Sequence, residues 1–177
     1  MSLANPLIAL ALRIVRVRQG LRIAAAKKHP LRAQHATLMA IVRRNAGTAF
    51  GRQYGFGQIN CYEDFAQHVP IGDYESLRSF VESEINDGLP ALTTDPPLFY
   101  ARTSGTTGRP KDLPITGSYL TALRKINRTA VSFQHRLCPD AFEGDILVIH
   151  GAAREGLLPN SKSYGAASGL VDRKSVV

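Results

Sequence analysis

Residues 99–116 read FYARTSGTTGRPKDLPIT, and the prolines at 110 and 114 together with the glycines at 105 and 108 forbid a helix through them. Proline fixes φ and donates no backbone N–H, while glycine supplies the turn where a chain changes direction. The chain is therefore predicted to run as a strand from Leu98 to Thr103, cross a glycine-rich loop, and leave in a short extended piece, KDLPIT. From Gly117 to Leu137 the apolar period becomes helical, with Leu120, Leu123, Ile126, Ala130, Phe133 and Leu137 on one face and Arg124, Lys125 and Arg128 off it. A second strand, buried in a parallel sheet, is predicted for DILVIHG, Asp145 to Gly151.

Upstream, the pattern is helical. Pro30 suits the first turn of a helix in which Leu31, Leu38, Ile41, Val42 and Asn45 follow helical spacing, ending near Gly47. The next segment, AGTAFGRQYGFGQIN, places four glycines and three aromatics in fifteen residues and predicts a loop anchored by its rings. Asn60 followed by Glu63 marks a helix start, and Pro70 closes that short helix. Asp73 then caps another, with Leu77, Phe80, Val81 and Ile85 on one face, before Gly88 ends it. Helices alternating with short apolar strands define an α/β architecture, a helical N-terminal segment beside a mostly parallel sheet.

With 177 residues, 44% of them hydrophobic, the chain can bury one core or form part of a larger domain. Cys61 and Cys138 stand far apart without a CxxC or Cys/His cluster, which excludes a disulfide framework and a cysteine metal site. A reducing, cytoplasmic setting with two buried, inert thiols is the simplest expectation. His68, His135 and His150 have no spacing that suggests a triad or a metal site.

Charge is unevenly placed. Ten basic residues precede the first acid, Glu63, so residues 1–60 carry +10, and the remainder carries −2 for a total of +8. No nucleic-acid module or interleaved aromatics accompany these charges, so nucleic acid is not an expected partner. The run LANPLIALALRIVRVR is too short for a bilayer crossing, which needs about 20 apolar residues, and its positive charges lie at the wrong end for a secretory signal. It predicts an amphipathic helix docked on the protein or on a membrane surface.

The glycine-rich stretch carries the chemistry. Thr103, Ser104, Thr106 and Thr107 surround Gly105 and Gly108, and Lys111 follows three residues beyond the second glycine. Glycines let backbone N–H groups approach phosphate oxygens, hydroxyls add donors, and a lysine adds charge. The spacing is not that of a Walker A loop, since Pro110 stands where the second glycine would be required, and no GxGxxG opens a helix.

The run of hydroxyls, Gly105, two more hydroxyls, Gly108 and Pro110-Lys111 resembles the phosphate-loop signature of the acyl-adenylate-forming superfamily. Within it, Asn45, Thr48, Phe50, Gly51, Asp64, Phe65, Val69, Pro70, Asp73, Tyr74 and Glu75 resemble the N-terminal region of the Gretchen Hagen three (auxin-responsive-promoter) family of acyl acid amido synthetases. Together with SYGAASGL the resemblance covers about Leu38 to Leu170. It implies an enzyme that activates a small carboxylic acid with ATP and Mg²⁺ as acyl-AMP and then joins it to an amino acid. Thr103, Ser104, Gly105, Thr106, Thr107, Gly108 and Lys111 would bind the cofactor's phosphates. Arg124 or Arg128 would pair with the substrate carboxylate, or equally stand as solvated charges on the helix face, and Tyr119, Ile126 and Phe133 are expected in the core. No catalytic residue is assigned.

An aryl-CoA ligase of the phenylacetate type shares nearly the same loop, and a non-catalytic, basic membrane-surface module is the alternative of a different class. The adenine-binding and mobile C-terminal motifs of the resembled family are absent, so residues 1–171 are expected to be the N-terminal part of a large adenylate-forming domain that does not catalyse alone. Asp172 to Val177 can be encoded by GAT CGG AAG AGC GTC GTG, a common sequencing-adapter read, and are expected to be an artefact.

Overall fold

The computed structural model describes residues 6–103, 108–143, 149, 151–152 and 154–170. Six helices are described: α1 (Pro6–Lys28), α2 (Pro30–Arg44), α3 (Ala49–Gln53), α4 (Tyr62–His68), α5 (Tyr74–Asp87) and α6 (Gly117–Leu137). Four strands accompany them: β1 (Pro97–Arg102), β2 (Asp112–Thr116), β3 (Gly156–Leu157) and β4 (Ser163–Gly165). The predicted strand at 145–151 lies almost entirely outside the described residues.

The helix ends follow from local chemistry. The Asp73 carboxylate accepts from the backbone N–H groups of Glu75 and Ser76 at the start of α5, and Gly88 ends it in the left-handed conformation at φ 70°. At α4 the cap is Cys61 rather than Asn60. Its sulfur accepts from Asp64 N–H, and the Asp64 carboxylate, not Glu63, closes the capping box. Cys61 is thus half-buried and Cys138 exposed, where both had been expected in the interior.

The segment at 46–60 contains a short helix, α3, where a loop was predicted. Thr48 starts it, its buried hydroxyl accepting from Gly51 N–H at 2.9 Å and donating to Asn45 C=O at 2.8 Å. The rings do anchor it: Phe50 packs edge-on against Phe56 and Phe80. Phe50 and Tyr54 join Met39, Val42, Phe56 and Ile59 in one core cluster. In α2 the inward face is therefore Met39 and Val42, whereas Leu31 and Ile41, expected on it, are 78% and 54% exposed.

The sheet has the order β2-β1-β4-β3. β1 pairs antiparallel with β2 and parallel with β4, and β3 pairs antiparallel with β4. A mostly parallel sheet was expected, but the described sheet is mixed. The loop from Thr103 to Lys111 is shorter than the dozen or so residues that a parallel crossover needs, so β1 and β2 form a hairpin.

Successive side chains of a strand point to opposite faces, and β1 is covered on both. Phe99 and Ala101 pack with Ile115 of β2 and Leu120 of α6, while Tyr100 packs with Val81 and Ile85 of α5. β1 therefore holds the glycine-rich loop at the end of a strand clamped between two helices. α1 lies against α6, with the Arg16 guanidinium donating to Ser132 C=O at 3.2 Å. On α6 itself Ile126 and Leu137 are 64% and 76% exposed, so the apolar face predicted from spacing is only partly covered.

Glu84 is the anomaly of the core. It is buried on α5, and its Oε2 has no hydrogen-bond partner among the described residues. Burial pushes its carboxyl above the ordinary carboxylate value, opposed by the backbone N–H groups of Ala91 and Leu92. A carboxyl with a raised folded-state value contributes its stability fully below the unfolded value, and that contribution is lost as pH rises through the folded one. Glu84→Gln keeps an acceptor for Ala91 and Leu92 and removes the charge. It is expected to raise stability at neutral and alkaline pH and to flatten that limb of the profile, measured by urea unfolding across pH; an unchanged profile would show that another group controls it.

Candidate phosphate-loop site

The loop leaves β1 at Arg102 and returns at Asp112, and its neck is closed by paired hydrogen bonds. Thr103 N–H donates to Lys111 C=O at 3.1 Å, and Lys111 N–H donates to the Thr103 hydroxyl at 3.1 Å. One step down the hairpin, Arg102 and Asp112 form a bidentate pair, Nε to Oδ1 at 2.8 Å and Nη2 to Oδ2 at 2.9 Å. That pair is mostly withdrawn from solvent, and the charged hydrogen bonds hold the Arg102 guanidinium above its usual value. The other side of the guanidinium lies 3.6 Å over the Tyr164 ring of β4.

β2 is the outer strand of the described sheet, so Asp112 presents its backbone groups to an open edge. Tyr74, in the first turn of α5, fills that edge with one phenol. Its hydroxyl donates to Asp112 C=O at 3.0 Å and accepts from Asp112 N–H at 2.9 Å. Burial raises its pKa, so the phenol stays protonated and able to donate. Arg78, one turn along, donates to Pro110 C=O at 3.2 Å and is itself held by Glu75 at 2.7 Å. The Arg78 pairing keeps the Glu75 carboxyl below the usual range.

Helix α5 thus contacts four consecutive loop-exit residues, Arg109 to Asp112, Arg109 through an exposed pair with Glu82 at 3.4 Å. The exposed Lys111 ammonium sits 5.5 Å over the Tyr74 ring, at the loop mouth. A Cβ built at Gly108 would meet no atom of the described residues within 4 Å, so their packing does not require glycine there.

Of the residues read from the sequence, the structure brings Thr103 and Lys111 together at the neck and places Gly108 on the returning limb. Ser104, Gly105, Thr106 and Thr107 lie outside the described residues, as does His150. Arg124 and Arg128 are on exposed positions of α6. Tyr119 and Ile126, expected in the core, are instead 49% and 64% exposed; Phe133 is half-buried. Arg78, Arg102, Asp112 and Tyr164 were missed. Only the Glu75 and Arg78 pairing, three apart on one helix, carries a signal readable from spacing. A cleft of about 560 Å³ between α2, residues 93–95 and the start of α6 opens at Thr116, the far end of β2 from the neck.

A family model described as the GH3 family N-terminal domain matches residues 21–175. Over 129 residues the chain is 29% identical to the indole-3-acetic acid-amido synthetase GH3.15 of Arabidopsis thaliana, a match of 72% of this chain and 22% of that protein. Over 140 residues it is 29% identical to the jasmonoyl–L-amino acid synthetase JAR4 of Nicotiana attenuata, covering 77% and 22%. Its fold matches the structure of the AtGH3.15 acyl acid amido synthetase in complex with 2,4-DB at a TM-score of 0.67 and 27% identity, covering 74% of this chain and 23% of that one. The chain therefore spans about a fifth of the length of both curated relatives.

Proposed function

The chain belongs to the GH3 family, and from that membership we propose that it supplies the phosphate-holding part of an ATP-dependent acyl acid amido synthetase. The carboxylate oxygen of a small acid attacks the α-phosphorus of ATP, the bond to pyrophosphate breaks, and acyl-AMP forms. An amino acid's amine then attacks the acyl carbon, loses a proton and releases AMP, leaving an amide.

The observation that carries this reading is the neck. It is cross-linked between Thr103 and Lys111 and fixed to α5 by Tyr74 and Arg78, so the loop it supports starts from a rigid base. Lys111 would neutralise charge developing on the leaving pyrophosphate, and the backbone at Gly108 would approach its oxygens. Ser104, Thr106 and Thr107 would add hydroxyl donors and Gly105 further backbone approach. Mg²⁺, arriving with ATP, would offset part of the phosphate charge beside the Lys111 ammonium. Arg124 or Arg128 would meet the acid's carboxylate. Two free cysteines fit a cytoplasmic setting.

A protein carrying these residues with the rest of the family's length is expected to form AMP and an amide from ATP, a carboxylic acid from a panel, and an amino acid, followed by mass spectrometry. A thioester with added coenzyme A, and no amide, would instead establish an aryl-CoA ligase.

A further inference from the structure

The two faces of α1 differ in what covers them. Ile8, Leu12, Val15, Arg16 and Gln19 are partly buried on the side that bears Arg16 and its bond to α6. Leu10, Ile14, Val17 and Leu21, spaced by four, three and four, fall on the opposite side and are 54%, 50%, 55% and 70% exposed. They form a continuous apolar stripe about 17 Å long, at 1.5 Å per residue. Exposed Arg13 borders one edge of the stripe and exposed Arg18 and Arg22 the other, with exposed Lys27 and Lys28 at the end of the helix.

We propose that this face of α1 docks on an anionic membrane surface, lying parallel to it. No helix among the described residues is long and apolar enough to cross a membrane, so a surface position is the one open to α1. Charge complementarity selects the occupant. From Pro6 to Lys28 there is no acidic residue, and a second α1 laid against the stripe would bring its arginines against like charges with nothing to pair them. Anionic headgroups supply the missing negative charge, while the leucines, isoleucine and valine enter the acyl boundary. Leu10, Ile14 and Val17 precede residue 21, where the family match begins, and Leu21 is its first residue.

The test uses the 177-residue chain itself. It is expected to co-sediment with phosphatidylcholine vesicles containing roughly one-third phosphatidylglycerol and not with phosphatidylcholine alone, and to be released at high salt. Arg13→Glu with Arg18→Glu and Arg22→Glu should weaken binding by roughly a hundredfold or more, at about fivefold per basic residue lost. Leu10→Asp with Ile14→Asp should weaken it by about tenfold or more, with the far-ultraviolet circular dichroism retained because both sites are exposed. The chain has no tryptophan, so Ile14→Trp gives a single reporter whose emission should shift to the blue on vesicles. Absence of binding to anionic vesicles at low salt would overturn the proposal. So would binding unaffected by Leu10→Asp with Ile14→Asp, or a dimer in sedimentation equilibrium that this double variant dissolves without any vesicle binding.

Discussion

Gly51→Ala is expected to destabilise the chain by about 3 kcal/mol or more, a large share of the 5–15 kcal/mol that holds a typical domain together. Gly51 is not there for an unusual backbone angle. It is buried, and a Cβ on it would be driven into the carbonyl oxygen of Asn45, with the Asn45 carbonyl carbon at 3.0 Å and the Ala46 carbon at 3.1 Å. All three are main-chain atoms, so no side-chain rotation relieves the clash.

The main chain at Asn45 is in turn fixed from several sides. Its C=O accepts from the Thr48 hydroxyl and backbone, its side-chain NH₂ donates to Ile41 C=O at 2.9 Å, and its Oδ1 accepts from Thr94 N–H at 3.1 Å. Phe50 N–H donates to Ala91 C=O at 2.9 Å, which ties α3 to the segment that enters β1. Moving Asn45 away from a new methyl group would break this network as a unit. The measurement is the midpoint of urea unfolding, with Gly47→Ala as the matched control. Nothing lies within 4 Å of a Cβ at Gly47, so that change should stay within about 0.5 kcal/mol. Equal midpoints for the two variants would show that the Asn45 turn yields.

The same network explains which parts of the fold were legible. Asp73, Gly88 and the bounds of α6 were read correctly because capping and breaking are local: a carboxylate one residue before a helix, or a glycine in the left-handed region, decides the outcome within one turn. Asn45, Thr48, Phe50 and Gly51 were visible as a pattern resembling a family, yet composition alone suggested a loop there. Four glycines in fifteen residues outweigh a single Thr48 cap in any count of propensities, and only the hydrogen bonds through Asn45 show why a helix forms.

The face of α2 was read only in part for a related reason: Leu38 and Val42 pack inward as expected, Leu31 and Ile41 do not. Leu31 and Ile41 fit the helical period as well as Met39 and Val42 do, and spacing does not say which side of a helix its partners occupy. The sheet order was out of reach. β3 and β4 are two and three residues long, too short to carry an alternation, and β4 joins β1 from more than fifty positions away, with β3 attached only through β4. The loop's residue types were legible, but its support was not. Tyr74 meets Asp112 across 38 positions, and nothing in either residue's neighbourhood marks the contact.

That support sets the last expectation. In a protein carrying the family's full length, Lys111→Ala is expected to lower ATP–pyrophosphate exchange by roughly a hundredfold, the loss that follows when one preorganised charge stabiliser is removed from a reacting site. Its fold should survive, because the Lys111 side chain is exposed and only its backbone groups close the neck. Tyr74→Phe separates position from charge. The ring beneath the ammonium remains, but the hydroxyl that engages both backbone groups of Asp112 is lost, at a cost of about 1–3 kcal/mol in stability for leaving those groups unpaired. The lysine is then present on a looser exit strand, so exchange should fall by roughly tenfold through a lower kcat rather than a large rise in KM for ATP. A Lys111→Ala enzyme with unchanged exchange would make the loop structural. A Tyr74→Phe enzyme as impaired as Lys111→Ala would mean that the phenol, and not the ammonium it positions, is the group in contact with the nucleotide.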